Sequence, residues 1–241
     1  MKSWGLRILK GLGLAVVGYL VFAFFAPSSY YIERSKKIGA SPEIIYEQLA
    51  SFENWENWSP WQEKDISRIN TYQGESGKVG AKAFWKGDSK ISGSGNMEMI
   101  QLIQNSTVSY ELNFDGREMN FRGGFEIIRG EFTSEVIWHD GADIPFLFRP
   151  IAVLSDLESQ IIPSLERGLE RLDSVAESKQ REYELEQAEI TSQSYGNEGF
   201  ESLLTNQMSA PNKLKTRNDA GSCKTWPYDL ALRKIVATIK D

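Results

Sequence analysis

The sequence predicts an α+β protein in which a curved antiparallel sheet wraps around one long carboxy-terminal helix, preceded by a single helix able to cross a membrane. Three observations carry that reading. Apolar and polar residues alternate through five segments between positions 79 and 138, the two-residue period of strands with one buried face. From position 157 the period lengthens: Leu157, Ile161, Leu165, Leu169, Leu172 and Ala176 recur at helical spacing, opposite Glu166, Arg167, Glu170, Arg171 and Glu177. Residues 11–26 form an uninterrupted apolar run, and no charge returns before Glu33. A sheet with one apolar face and a helix with one apolar stripe each bury what the other exposes.

The apolar run comes first. About 20 residues suffice to cross a bilayer as a helix. Lys2, Arg7 and Lys10 precede it and favour a cytoplasmic amino terminus, although Arg34, Lys36 and Lys37 follow on the far side. Trp4, Tyr19, Tyr30 and Tyr31 suit the two interfaces. Phe24 and Phe25 stand where signal-peptide cleavage needs small residues, so 1–29 reads as a retained anchor. The soluble domain, 30–189, is then expected outside the cytoplasm.

Residues 30–38 mix aromatic and β-branched types and predict a first strand. Ser41 then caps a short helix with Pro42 at its first position, where a missing amide does no harm; Ile44, Ile45, Leu49 and Phe52 are its buried side. Trp55, Trp58 and Trp61 follow at a spacing of three, which lines them along one side of a helical turn. In the sheet, Val79, Ala81, Ala83 and Trp85 share a face, as do Ile91, Gly93, Gly95, Met97 and Met99, and Val108, Tyr110, Leu112 and Phe114. The Asp115–Gly116 pair predicts a hairpin turn, after which Met119, Phe121, Gly123, Phe125 and Ile127 return. Phe132, Ser134, Val136 and Trp138 end the series before a loop holding Gly141, Pro145 and Pro150. Gly93, Gly95 and Gly123 on the inward face allow bending or leave empty volume.

Ser155-Asp-Leu-Glu158 reads as a capping box opening the long helix, which Pro163 is expected to kink near its start. Residues 190–241 read as a tail: 192–222 is rich in Ser, Asn, Gly and Lys without periodicity, and 228–239 suits a short amphipathic helix.

Composition excludes several functions. A net charge of -6 argues against nucleic acid as partner. Cys223 is the only cysteine and His139 the only histidine, so neither a disulfide nor a cysteine or histidine metal cluster can form within the chain. Strand alternation puts His139 on the outer, solvated face. No nucleophile-elbow, zincin, phosphate-loop or dinucleotide pattern occurs, and no cofactor is expected.

Several short features together resemble the START-like superfamily, SRPBCC, of polyketide cyclase/dehydrase and lipid-transport proteins. These are Ser41-Pro42 opening a helix, Trp58-Ser-Pro-Trp61, Val79-Gly80 followed by Trp85, Thr133-Ser-Glu-Val136-Ile-Trp138, and Glu166-Arg-Gly168-Leu169-Glu-Arg-Leu172. The resemblance covers roughly residues 30–177 and implies a helix-grip fold in a bacterial-type, membrane-anchored member. It implies an apolar cavity between sheet and carboxy-terminal helix, taking a hydrophobic small molecule such as a lipid or polyketide-like compound. Some relatives carry a second effector-binding domain; residues 190–241 are short for one and stand as a remnant or a plain tail.

The candidate ligand-binding set is Trp58, Trp61, Trp85, Met97, Tyr110, Phe114, Phe121, Phe125, Trp138, Leu165, Leu169 and Leu172. The same tryptophans also suit a filled core, the commoner fate of inward aromatics; Trp55 reads equally as surface packing. Three functions stay open: non-enzymatic binding, a cyclase or dehydratase with Tyr110 and Ser134 as the only inward polar groups, and a sensor or interaction domain with a filled core.

Overall fold

The computed structural model describes residues 2–116, 120–131 and 133–209. Helix α1 (Lys2–Phe25) leads into β1 (Ser29–Ile38), α2 (Pro42–Ala50), α3 (Trp55–Trp58) and α4 (Pro60–Lys64). Six strands follow: β2 (Ile69–Gln73), β3 (Lys82–Lys86), β4 (Ser94–Ile103), β5 (Thr107–Phe114), β6 (Asn120–Arg129) and β7 (Ser134–Asp143). A 3₁₀ turn at Phe146–Phe148 precedes α5 (Arg149–Ser155) and the 53-residue α6 (Leu157–Ser209). The seven strands form one antiparallel sheet in the order β1-β7-β6-β5-β4-β3-β2. Strand β7 returns beside β1 at one edge of the sheet; α6 packs over β1 and β7, α2 over β5 and β6, and α3 and α4 against α6.

The alternation does what strand geometry requires. Met97, Met99, Val108, Tyr110, Phe125, Ile127, Val136 and Trp138 are buried on the concave face. The outer face is wet and carries cross-strand ion pairs between register partners, Lys82 with Glu98 at 2.9 Å and Arg122 with Glu111 at 3.0 Å. His139 lies on that outer face, stacked on Tyr31. Gly116 takes φ +73° in the β5–β6 turn, where a side chain would be strained. Ser41 caps α2, its hydroxyl accepting from the Ile44 amide at 3.4 Å.

Several boundaries differ from expectation. Strand β7 does not stop at Trp138 but runs through Gly141 to Asp143, because it is paired on both sides, with β1 and with β6. Gly141 suits that ladder, since a Cβ there would lie 2.8 Å from the Tyr30 carbonyl oxygen. Val79 and Ile91 lie exposed in turns ahead of β3 and β4, whereas Ala81, just before β3, is buried as expected and its carbonyl accepts from the Met99 amide at 2.9 Å. Strand β2 carries too short an alternation to stand out in the sequence. The capping box does not form: Ser155 ends α5, its hydroxyl donating to the Ala152 carbonyl, and Asp156 takes φ +47° between the two helices. Helix α6 starts at Leu157, continues through Pro163, and extends to Ser209, so the first part of the expected linker is helical. Met119, Phe132 and the 228–239 helix lie outside the described residues.

Candidate functional site

The concave face divides into two halves. In one, Phe125 and Trp138 have ring centroids 4.9 Å apart. Trp58 meets both edge-on, at 5.8 and 5.7 Å, and Leu165, Leu169 and Leu172 of α6 close over them, each buried. Gly168 makes that closure possible, because a Cβ there would stand 2.5 Å from the Trp138 ring. Trp58, Phe125, Trp138, Leu165, Leu169 and Leu172 are therefore solid core. None of the six is in the lining of the cavity next to this core. Trp55 is buried too, its indole donating to the Leu49 carbonyl at 2.8 Å, rather than packing on the surface.

In the other half the sheet is left partly uncovered. A cavity of about 180 Å³ lies between β3–β7 and the α3–α4 segment, and among the described residues α6 contributes Ile161 to its lining. Trp61, Trp85, Met97, Tyr110, Phe114 and Phe121 of the expected set line it, joined by Tyr30, Trp55, Ile91 and Leu112. The described lining thus takes more from the α3–α4 segment, through Trp55, Ser59 and Trp61, than from the long helix, which adds Ile161. Gly95 and Gly123 are not its empty volume. A Cβ at Gly95 would fall 2.5 Å from the Trp85 ring, and one at Gly123 2.0 Å from the Asp140 carboxylate. Each glycine makes room for a neighbouring side chain.

Polar groups in the cavity were largely missed by the sequence. Tyr110 donates to Asp140 Oδ1 at 2.8 Å and accepts from the Trp138 indole at 3.0 Å. Burial pushes the Asp140 carboxyl up to about 7, against the opposing effect of the Tyr110 hydrogen bond. The same burial, with Asp140 as a second cause, raises the Tyr30 hydroxyl; Tyr110 is raised likewise, chiefly by burial. The signal for Asp140 was present: continuing the period from Trp138 by two residues puts it on the inward face. Ending the strand early hid it. Ser134, expected to face the cavity, instead donates to the Ala40 carbonyl at 2.8 Å within the core.

Arg68 also lines the cavity, its guanidinium 4.9 Å from the Trp85 ring centre and donating to Asn70 at 2.9 Å. Desolvation lowers it to about 10, which leaves it cationic at neutral pH. Near the cavity's rim, buried Asp65 accepts from the Ser67 and Ser92 hydroxyls and from the Ser67 and Asp88 amides. Those hydrogen bonds hold its carboxyl at about 2 and pin the 87–93 loop, whose Ile91 and Ser92 line the cavity. Among the described residues no cluster of metal-ligating side chains occurs.

Solved structures share this architecture. The di-domain ARO/CYC StfQ from the steffimycin biosynthetic pathway is similar at TM-score 0.50 and 10% identity, over 63% of this chain and 52% of its own. SA2116 from Staphylococcus aureus, a protein of unknown function, is similar at TM-score 0.50 and 11% identity, over 63% of this chain and 95% of its own. The fold is a helix-grip fold. Norcoclaurine synthase from Thalictrum flavum is similar at TM-score 0.49, with 11% identity over 63% of this chain. No sequence-family model and no curated protein matches the chain. At these identities the likeness concerns the fold alone, and StfQ is about twice as long as the matched region.

Proposed function

We propose that the protein is a membrane-tethered, non-enzymatic binding domain for a hydrophobic small molecule held in the cavity beside Trp61, Trp85, Phe114 and Phe121. The observation that carries this reading is about 180 Å³ of open, mostly apolar-walled volume in a fold that packs its other half tightly. Protein interiors ordinarily close such space, and apolar walls with a few placed polar groups are what ligand sites present. A cavity near 150 Å³ admits a benzene-sized ring, so this one takes a ring or a short acyl segment while the rest of a longer ligand projects outward.

The tether is α1. Its Trp4–Phe25 stretch has mean hydropathy 2.1 and is almost wholly uncovered by protein, with 6% of the window buried. The basic residues before it favour a cytoplasmic amino terminus and a domain outside the cytoplasm. A carboxy-terminal alkaline phosphatase fusion is then active; an inactive, well-expressed fusion overturns that orientation.

Filling the cavity tests the binding reading. Met97→Phe with Leu112→Phe is expected to abolish uptake of a fluorescent fatty acid while costing little stability, because the added rings enter open space. A parent protein that takes up no fatty acid, together with a double variant destabilised by the 1–3 kcal/mol typical of overpacking, would refute it.

One observation favours a second reading. A recessed carboxyl near neutrality beside a tyrosine hydroxyl suits general acid–base chemistry on a bound molecule. If Asp140 acts so, a compound co-purifying with the protein changes mass on incubation with the parent and not with Asp140→Asn. Equal binding and no chemical change in both proteins leaves the non-enzymatic reading.

A further inference from the structure

The 3₁₀ turn and α5 form a continuous apolar surface with an unusual position. Residues 144–155 read Ile-Pro-Phe-Leu-Phe-Arg-Pro-Ile-Ala-Val-Leu-Ser, with no acidic residue and a single base. Phe146, Leu147, Phe148, Ile151, Val153 and Leu154 are all exposed, Leu154 by 79%. A soluble domain rarely leaves so many large apolar side chains side by side uncovered.

This surface lies against α1. The Tyr19 hydroxyl donates to the Leu147 carbonyl, and Phe146 shares a shallow apolar hollow with Val17, Leu20, Val21, Phe24 and Phe25. The contact falls in the carboxy-terminal third of α1, where a spanning helix leaves the hydrocarbon. Ile144 donates its amide to the Ser28 carbonyl, so the turn leaves the sheet at the level where β1 enters it. Arg149 lies 5.6 Å from the Phe146 ring centre, a cation at the height where lipid headgroups are expected.

We infer that Phe146–Ser155 is a second membrane contact, embedded in the leaflet that α1 leaves, and that it sets the cavity close to the bilayer surface. The inference rests on the reading of α1 as a membrane anchor. Strand register supplies the second half. Tyr30, Ala142, Phe121, Leu112 and Met97 form one row across β1, β7, β6, β5 and β4. Four of these line the cavity, and Tyr30 is the second residue of the strand that follows the anchor. A ligand drawn from the lipid phase then reaches the cavity without crossing much water. The occupant of the exposed face is the bilayer itself. It is continuous with the medium that α1 requires, and the face carries no acidic group to repel anionic lipid.

Depth-dependent quenching tests this on the full chain in vesicles of phosphatidylcholine and phosphatidylglycerol. In a Cys223→Ser background, an environment-sensitive dye is attached at Phe148→Cys, Leu154→Cys, Val16→Cys within α1, or Ile66→Cys, which is 94% exposed elsewhere on the domain. Spin-labelled lipids are expected to quench the dyes at 16, 148 and 154 several-fold more than the dye at 66, with the shallow label strongest at 148 and 154. Quenching at 16 but not at 148 or 154 overturns the second contact and leaves the anchor standing. Absence of quenching at 16 overturns both. Shielding at 154 without lipid quenching, accompanied by a cross-linked dimer, assigns the face to a second copy and also overturns the inference.

Discussion

The two halves of the concave face are built from the same materials and end differently. Each presents aromatic rings from inward positions of neighbouring strands. Over Phe125 and Trp138 the chain lays Leu165, Leu169 and Leu172, with Gly168 letting the helix backbone approach. Over Trp85, Phe114 and Phe121 the described residues lay Trp61, Ile161 and the short α3–α4 turns, and a cavity of about 180 Å³ remains. What differs is the cover. A sheet face becomes core or binding wall according to what lies on it, and that is settled by where α6 begins.

Truncating matched aromatics breaks the comparison most sharply. Phe125→Ala leaves a hole in packed surroundings and is expected to cost about 3–5 kcal/mol, whereas Phe121→Ala enlarges an existing space and is expected to cost clearly less. Urea denaturation of the two variants measures this; equal losses would mean the cavity half is packed as tightly as the core.

Next in size is the pH dependence of Asp140. Its folded value of about 7 lies above that of an unfolded carboxyl, so its stabilising contribution is full below about pH 4 and is lost as pH rises through 7. Asp140→Asn removes that loss. The parent is therefore expected to lose about 2–4 kcal/mol between pH 4 and 8 relative to the variant, at 1.36 kcal/mol per unit. Parallel stability profiles for parent and variant would show Asp140 to be ordinarily solvated.

Gly168→Ala sharpens the packed side. The new methyl meets the Trp138 ring at 2.5 Å, and the expected cost is about 1–3 kcal/mol with altered near-ultraviolet dichroism from the displaced indole. An unchanged spectrum and stability would place α6 farther from the sheet.

The smallest effect is local. Asp65→Asn weakens the hydrogen bonds that hold the 87–93 loop against the cavity, and amide exchange there is expected to rise roughly tenfold while the core stays protected. In the parent the same loosening appears as pH falls towards 2, since the depressed carboxyl contributes only while ionised. A loop that exchanges equally in both proteins at neutral pH would remove Asp65 as the clasp.

Local chemistry was legible where a residue's own neighbours decide the outcome. Ser41-Pro42 opens a helix, Asp115-Gly116 turns a hairpin, and period alone places Met97, Met99, Val108, Tyr110, Phe125, Ile127, Val136 and Trp138 on the buried face. The errors share one cause. Ser155 looks like a helix cap in sequence yet ends α5, and Gly141 looks like a loop yet sits in a ladder supported from both sides. In each case partners distant in sequence outweighed local preference. Losing the end of β7 then concealed Asp140, the most perturbed carboxyl of the cavity.

By itself, then, the sequence determined a succession of alternating strands, one apolar-striped helix and one membrane-length apolar segment, because side-chain direction follows from backbone period. Only the tertiary structure decided which inward aromatics are core and which face open space. It also decided that Trp58, Phe125 and Trp138 belong to the first group and that Tyr30, Arg68 and Asp140 join the second. Period fixes where a side chain points, but whether anything fills the space it points into depends on elements up to a hundred residues away.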